Sequence, residues 1–532
     1  MFSRIKLKIK EKLSDNQNLL LESFRNKKVI NSFNEIYNES KLSQRKYKSL
    51  LIDGGYYNLN YFYRIQLLRA AIKSAQIKEN AFIWDCNINL CRNILNSIGV
   101  NNLFYFPKSF NKDISLESEN LAKKINSRED LINLKLPHLI PGAFLYDTIL
   151  KRQRSATVNI KDKNIKEYIY RFLCSIKFAE HLIYICKPDI VALSHCISYQ
   201  CTPLAWIASK KNIQTIILGN EFDILRLWKM SKPKDIYLGI GHPVKKDLKN
   251  LSKIKRKKLQ YVGEQYIQNR ISGKTNDLSG RYAFHGKQKK LFELGINQKE
   301  KKVIAIYSAC FFDFPHTYGM NRFIDMLDWL RLTIKKASEN KKVLWLLKPH
   351  PMEKWYGGIK LTDLLESDLP DNIVVLPYDY SGKDILHIAD GLVTFHGTSA
   401  IEYAAMGKPV LVADRGWYHD CGFVLFPKSR DHYANLLSER WYEFVDIKKS
   451  KTNAEIFSGI FFGIPKWQKD LIFPDDSNIE ILRRKLPNFV KYKKKLINKE
   501  IKLIKNWINS DSKDYHIYTI ENNNKFSSLI NK

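Results

Sequence analysis

Apolar residues in this chain come mostly in short bursts, and a stretch with helical spacing tends to follow each burst. The first burst is 50–52, Gly54 and Gly55 follow as a turn, and 61–75 places its apolar residues three and four apart. The bursts at 81–85 (AFIWD), 103–106 (LFYF), 187–195 (KPDIVALSH) and 215–219 (TIILG) continue the theme, with helical stretches NINLCRNILNSIG and TPLAWIASKKN between them. The pattern fades between about 230 and 295, where KIKRKKLQ and SGKTNDLSG read as a surface segment or linker. It resumes at 301–308 (KKVIAIYS). A helix at 321–338, strands at 343–347 and 372–377, a helix at 383–389, a strand at 391–395, a helix at 399–406 and a strand at 410–413 follow.

Strands alternating with helices predict parallel, doubly wound sheets. The expected fold is therefore α/β: two Rossmann-like domains, 49–295 and 296–477, facing each other across a cleft. Helical, lysine-rich extensions flank them at 1–48 and 478–532. Within the first extension Ile5, Ile9 and Leu13 recur every fourth residue, while Leu7 breaks the pattern. The segment reads as a helix, packed on the body or lying on a membrane surface. No internal sequence repeat is visible.

Charge widens the choice of partner. Lys and Arg number 88 against 54 acidic residues, a net charge of +34, which favours nucleic acid, an anionic membrane face or phosphorylated substrates. The lysines are spread along the chain, in the Lys, Asn and Ile mix expected of an AT-rich genome. No zinc-finger spacing or RNA-binding aromatic signature accompanies them, so no specific nucleic-acid partner is expected. Eight cysteines without a CxxC pair read as reduced thiols. The N-terminus MFSRIKLKIKEKL lacks the apolar core of a secretory signal. No run approaches the roughly 18 apolar residues of a spanning helix. The expected place is the cytoplasm, with peripheral attachment to the inner membrane face as an option.

Two strand ends carry the candidate chemistry. At 346–357 (LLKPHPMEKWYG) an apolar strand runs into Lys348, Pro349, His350 and Pro351. The prolines stiffen the turn and hold Lys348 and His350 at the carboxyl edge of the sheet, where a cation can meet a phosphate. At 395–412 (FHGTSAIEYAAMGKPVLV) a strand ends at His396, Gly397, Thr398 and Ser399, and a helix starts at once. Ser399 and Glu402 have the spacing of a capping box. The Gly turn, hydroxyls and imidazole together make a candidate anion site. For acid–base work Asp53, at the first strand end beside Gly54, is the leading candidate. His195 and Glu221 follow. Asp313 and His316, on the cleft side of the second domain, read as residues that order the donor or as an ordinary loop. Plain structural roles compete at each. No acidic pair or HxxxH spacing marks a metal site.

KPHP at 348–351 with DGLVTFHGTSAIEYAAMGKPVLV at 390–412 resembles the bacterial capsule-polysaccharide biosynthesis glycosyltransferases, Kdo transferases among them. It is more distantly similar to CDP-glycerol glycerophosphotransferases and bacterial sialyltransferases. The likeness covers about 300–430 and is weak over 49–230, where GAFLYDTILKRQRS has the family's flavour. It implies a GT-B fold, a nucleotide held mainly by the second domain, no cofactor and no essential metal. By the same resemblance His350 and His396 meet the phosphates of the donor, Thr398 and Ser399 bind phosphate, and Glu402 takes the ribose. The implied activity is inverting transfer of a sugar from a CMP- or UDP-linked donor to a glycan or lipid-linked acceptor. A glycerophosphotransferase, a nucleotide-sugar 2-epimerase and a non-enzymatic polyanion binder are the alternatives.

Overall fold

The computed structural model describes residues 2–42, 47–84, 87–107, 112–219, 225–238, 242–275, 278–284, 301–351, 353, 357–365, 369–463 and 479–522. Two sheets organise them. The first contains β1 (Ser49–Asp53), β2 (Lys78–Ile83), β3 (Asn102–Tyr105), β6 (Ile190–Leu193), β7 (Gln214–Gly219) and β8 (Arg226–Met230). A small hairpin, β4 (Lys135–Leu136) with β5 (Ile140–Pro141), stands apart. The strand order is β3-β2-β1-β6-β7-β8, parallel except that β8 runs antiparallel to β7. The second sheet, β11-β10-β9-β12-β13, is parallel throughout. Its strands are β9 (Lys302–Tyr307), β10 (Val343–Lys348), β11 (Ile373–Val375), β12 (Gly391–Thr394) and β13 (Val410–Val412).

In both sheets the chain builds outward one way, then crosses back to build the other. That reversal falls between β1 and β6, and between β9 and β12. Loops part at such a switch point and leave a crevice at the carboxyl ends of the strands. The two sheets share this order although no sequence repeat is visible. Fully buried runs such as Leu50–Leu51–Ile52 and Leu346–Leu347 suit strands covered on both faces.

Described parts of both basic extensions pack on the first domain, and Ile517 and Ile520 of the second extension join the other core. The N-terminal helix Phe2–Asn38 buries Val29, Phe33 and Ile36 in the first core. Helices Ile479–Tyr492 and Lys494–Ile508 return to the same core with Leu486, Val490, Ile497, Ile504 and Trp507. Part of the segment expected to be a linker is helical among the described residues. Helix Lys253–Ile271 and helix Leu278–Phe284 join the core of the second domain through Leu259, Ile267, Ile271 and Phe284. Glycine permits that docking: a Cβ on Gly263 would stand 1.8 Å from the Glu455 carbonyl oxygen of helix Ile447–Phe462.

Helix Gly142–Gln153, the GAFLYDTILKRQ stretch, joins the two domains. Tyr146 donates its hydroxyl to Asp325 at 2.6 Å, and Lys151 pairs with Asp313 at 3.0 Å. Asp147, wholly buried, accepts from His316 Nδ1 (2.7 Å), Thr317 N (2.9 Å), Thr317 Oγ1 (3.1 Å) and His316 N (3.3 Å).

Candidate functional site

The carboxyl ends of β9, β10 and β12 open into a cavity of about 110 Å³. Tyr307 is the hub, paired with Lys348 on one side and Thr394 on the other. The cavity wall includes Ser308, Lys348, His350, Gly397, Thr398, Ser399 and Glu402. Thus the KPHP turn and most of the HGTS turn do converge. A wider groove of about 510 Å³ lies between helix Phe2–Asn38 and helix Ile88–Ser97, but its polar lining is mostly Asn and Ser, with Lys27. Chemistry, rather than size, selects the smaller cavity.

The KPHP turn is held from behind. Lys348 donates its ammonium to the carbonyls of Tyr378 (2.6 Å) and Pro377 (3.2 Å), and the Tyr378 hydroxyl donates to the Pro351 carbonyl. Burial pulls the Lys348 ammonium down to about 8. Burial also lowers His350 to about 4, against a smaller upward pull from Asp313. At neutral pH His350 is therefore a neutral imidazole.

The HGTS turn departs from expectation in two respects. The N-cap of helix Ser399–Ala405 is Thr398, which makes no side-chain cap bond, and no capping box forms. Glu402 turns instead to Arg270 Nε, 2.5 Å away, and both side chains are buried. A charge-assisted bond outweighs a neutral cap. Arg270 comes from helix Lys253–Ile271 and lines the cavity with Ala283 and Phe284. His396 is not on the cavity wall. Its ring packs 4.6 Å from that of Phe395, and burial lowers it to about 4. A Cβ on Gly416 would stand 2.5 Å from His396 Cβ, so glycine makes room for the imidazole.

At the switch point of the first sheet Asp53 is buried at the end of β1. Its carboxylate accepts from Ser194 Oγ (2.5 Å), Gly55 N (3.1 Å), Ser194 N (3.3 Å) and Cys201 Sγ (3.6 Å). Ser194 Oγ also lies 2.9 Å from His195 Nδ1. A hydroxyl has one proton, and here it goes to Asp53. His195 Nδ1 must then donate, which leaves the lone pair on Nε2. Burial lowers the pKa of His195, against a pull from Asp53. Asp53, His195 and Cys201 also bring one metal-ligand atom each within 4.8 Å of one another. The Cys201 thiol is pushed well up by burial, so it stays protonated and bonded to Asp53. Glu221 lies outside the described residues. Asp313 and His316 are the residues held by Lys151 and Asp147.

Four groups at these sites escaped the sequence reading: Ser308, Arg270, Ser194 and Asp147. Ser308 directly follows an apolar strand and was open to detection. Arg270 lies next to Ile271 in the row Leu259, Gly263, Ile267, Ile271, a spacing of four that Gly263 interrupts.

No family model matches the chain, and no curated protein matches it. Among solved structures it is similar to the spinosyn rhamnosyltransferase SpnG (10% identity, TM-score 0.28), over 83% of this chain and 100% of that one. It is similar to the beta Kdo 2,4 transferase KpsC of Thermosulfurimonas dismutans (13%, 0.32), over 51% and 79%. A third is the UDP-GlcNAc 2-epimerase of Neisseria meningitidis bound to UDP-GlcNAc (12%, 0.23), over 76% and 97%.

Proposed function

We propose that this chain transfers a sugar from a CMP- or UDP-linked donor to a hydroxyl of a growing surface glycan or lipid-linked acceptor, by inversion and without a resident metal. One observation carries the reading: Lys348, His350, Thr398, Ser399 and Glu402, from two separate strand ends, line one cavity at the switch point of the second sheet. That chemistry suits a nucleotide. The Lys348 ammonium and the two hydroxyls meet phosphate, and the second carboxylate oxygen of Glu402 takes a ribose hydroxyl. Ala283 and Phe284 give the base an apolar wall. The likeness of the KPHP and HGTSAIEYAA stretches to capsule glycosyltransferases supports the same reading.

On the first sheet His195 Nε2 takes the proton of the acceptor hydroxyl, and Asp53 orients the imidazole through Ser194. The acceptor oxygen bonds to the anomeric carbon. The bond from that carbon to the phosphate oxygen breaks, and its electron pair leaves with the nucleotide. Donors in the cavity stabilise the charge that builds there. The cytoplasmic side of the inner membrane, where such acceptors are lipid-linked, is the proposed place of action, and the net charge of +34 favours an anionic surface.

The test is nucleotide release from CMP- and UDP-sugars by the full chain, with and without a membrane glycan extract. Release that the extract accelerates is expected. A sugar altered while still attached to its nucleotide favours the epimerase alternative. No turnover of any donor contradicts the proposal.

A further inference from the structure

Ser308 follows β9 and sits at the point where the second sheet reverses. Its amide donates to the Lys348 carbonyl at 3.0 Å, which pins the residue to the β10 edge. The residue is only 5% exposed and lines the cavity, yet its hydroxyl has no hydrogen-bond partner among the described residues. Native proteins leave few buried hydroxyls unpaired, because burial without a partner is costly. A hydroxyl kept unpaired in the wall of a cavity is matched to something that enters it.

The surroundings indicate what enters. Lys348, His350, Thr398 and Ser399 line the same cavity and bring an ammonium, an imidazole and two hydroxyls. The carboxylate in the wall, Glu402, is engaged by Arg270. This set is rich in donors and suits an anionic oxygen. We infer that Ser308 is a phosphate-binding residue, its hydroxyl donating to a phosphate oxygen of the nucleotide. The inference rests on the reading of the cavity as a nucleotide-donor site and adds to it a contact that neither motif contains.

The role gives opposite signs for stability and binding. In Ser308→Ala the empty protein loses an unpaired buried hydroxyl, so its melting temperature holds or rises. Affinity for UDP or CMP falls roughly tenfold to a hundredfold, the worth of one hydrogen bond to a charged group. Affinity for uridine or cytidine does not change. Ser308→Cys, close in shape but a weak donor, gives the same pattern and serves as the second variant. Calorimetric titration of the unaltered protein and both variants with nucleotide, nucleoside and pyrophosphate measures all of this. Unchanged nucleotide affinity overturns the inference. So does an equal loss for nucleoside and nucleotide together with a lower melting temperature, which marks general damage to the cavity. If the unaltered protein binds pyrophosphate but no nucleotide, and the variants lose pyrophosphate, the donor reading falls and the phosphate contact stands. Binding of neither overturns both.

Discussion

Arg270 Nε and Glu402 Oε1 meet 2.5 Å apart, both buried, and join the helix before the second sheet to the helix after β12. Breaking a buried pair by removing one partner costs about 3–5 kcal/mol, whereas replacing both with apolar residues is often neutral. Arg270→Met should therefore lower the melting temperature sharply. Adding Glu402→Leu should recover most of the loss while nucleotide binding stays absent. Recovery of binding in the double variant would remove Glu402 from the ribose site.

The two histidines of the motifs should part company. His350 lines the cavity and His396 does not. His350→Ala should cut turnover roughly 10²–10³-fold, the effect of losing one transition-state donor, with little change in melting temperature. His396→Ala leaves a void between Phe395 and Gly416 and should act mainly on stability. Initial rates and melting curves on both variants separate the cases. Equal losses of rate at unchanged stability would put His396 at the donor after all.

Burial holds the Lys348 ammonium down to about 8. A bound phosphate favours the ammonium and raises that value, so binding is linked to proton uptake above about pH 8. Nucleotide affinity should hold through pH 7 and fall as pH rises past 8. Lys348→Met should flatten that slope. A slope that survives the substitution belongs to another group.

On the first sheet, His195→Gln should lower turnover by roughly 10²–10⁴-fold, the usual worth of a general base, with donor affinity kept. Ser194→Ala breaks the link between Asp53 and His195 and should lower the rate without abolishing it. Donor affinity and single-turnover rates check both. A normal rate in His195→Gln would return the role of base to Asp53.

Much of this architecture was legible because parallel strands buried on both faces are apolar throughout. Leu50–Ile52 and Val343–Leu347 stand out from their surroundings for that reason. The strand ends were legible too, since Lys348, His350 and the HGTS turn interrupt such runs abruptly. Helix Lys253–Ile271 was not. Leu259, Ile267 and Ile271 carry its buried apolar face, Gly263 replaces a fourth apolar residue, four lysines crowd its first turns and polar residues fill most of the rest. Arg270 was lost with it. The edge strand β8 pairs antiparallel and breaks the expected alternation, so nothing in the pattern announced it. The Ser399–Glu402 spacing pointed to a capping box, but the tertiary partner Arg270 took the carboxylate. Sequence distance also concealed that His350 reaches the cavity wall and His396 does not.

The proposed function places a nucleotide in the cavity at the carboxyl edge of the second sheet. Photolabelling the full chain with 5-azido-UDP and 5-azido-UMP, followed by peptide mapping, locates the bound base directly. Label is expected in peptides containing 283–284, 349–351 or 397–402, suppressed by excess unlabelled UDP or CMP. Competable label confined to the first domain, at the Asp53–His195 edge or along the groove beside 23–34, would contradict it.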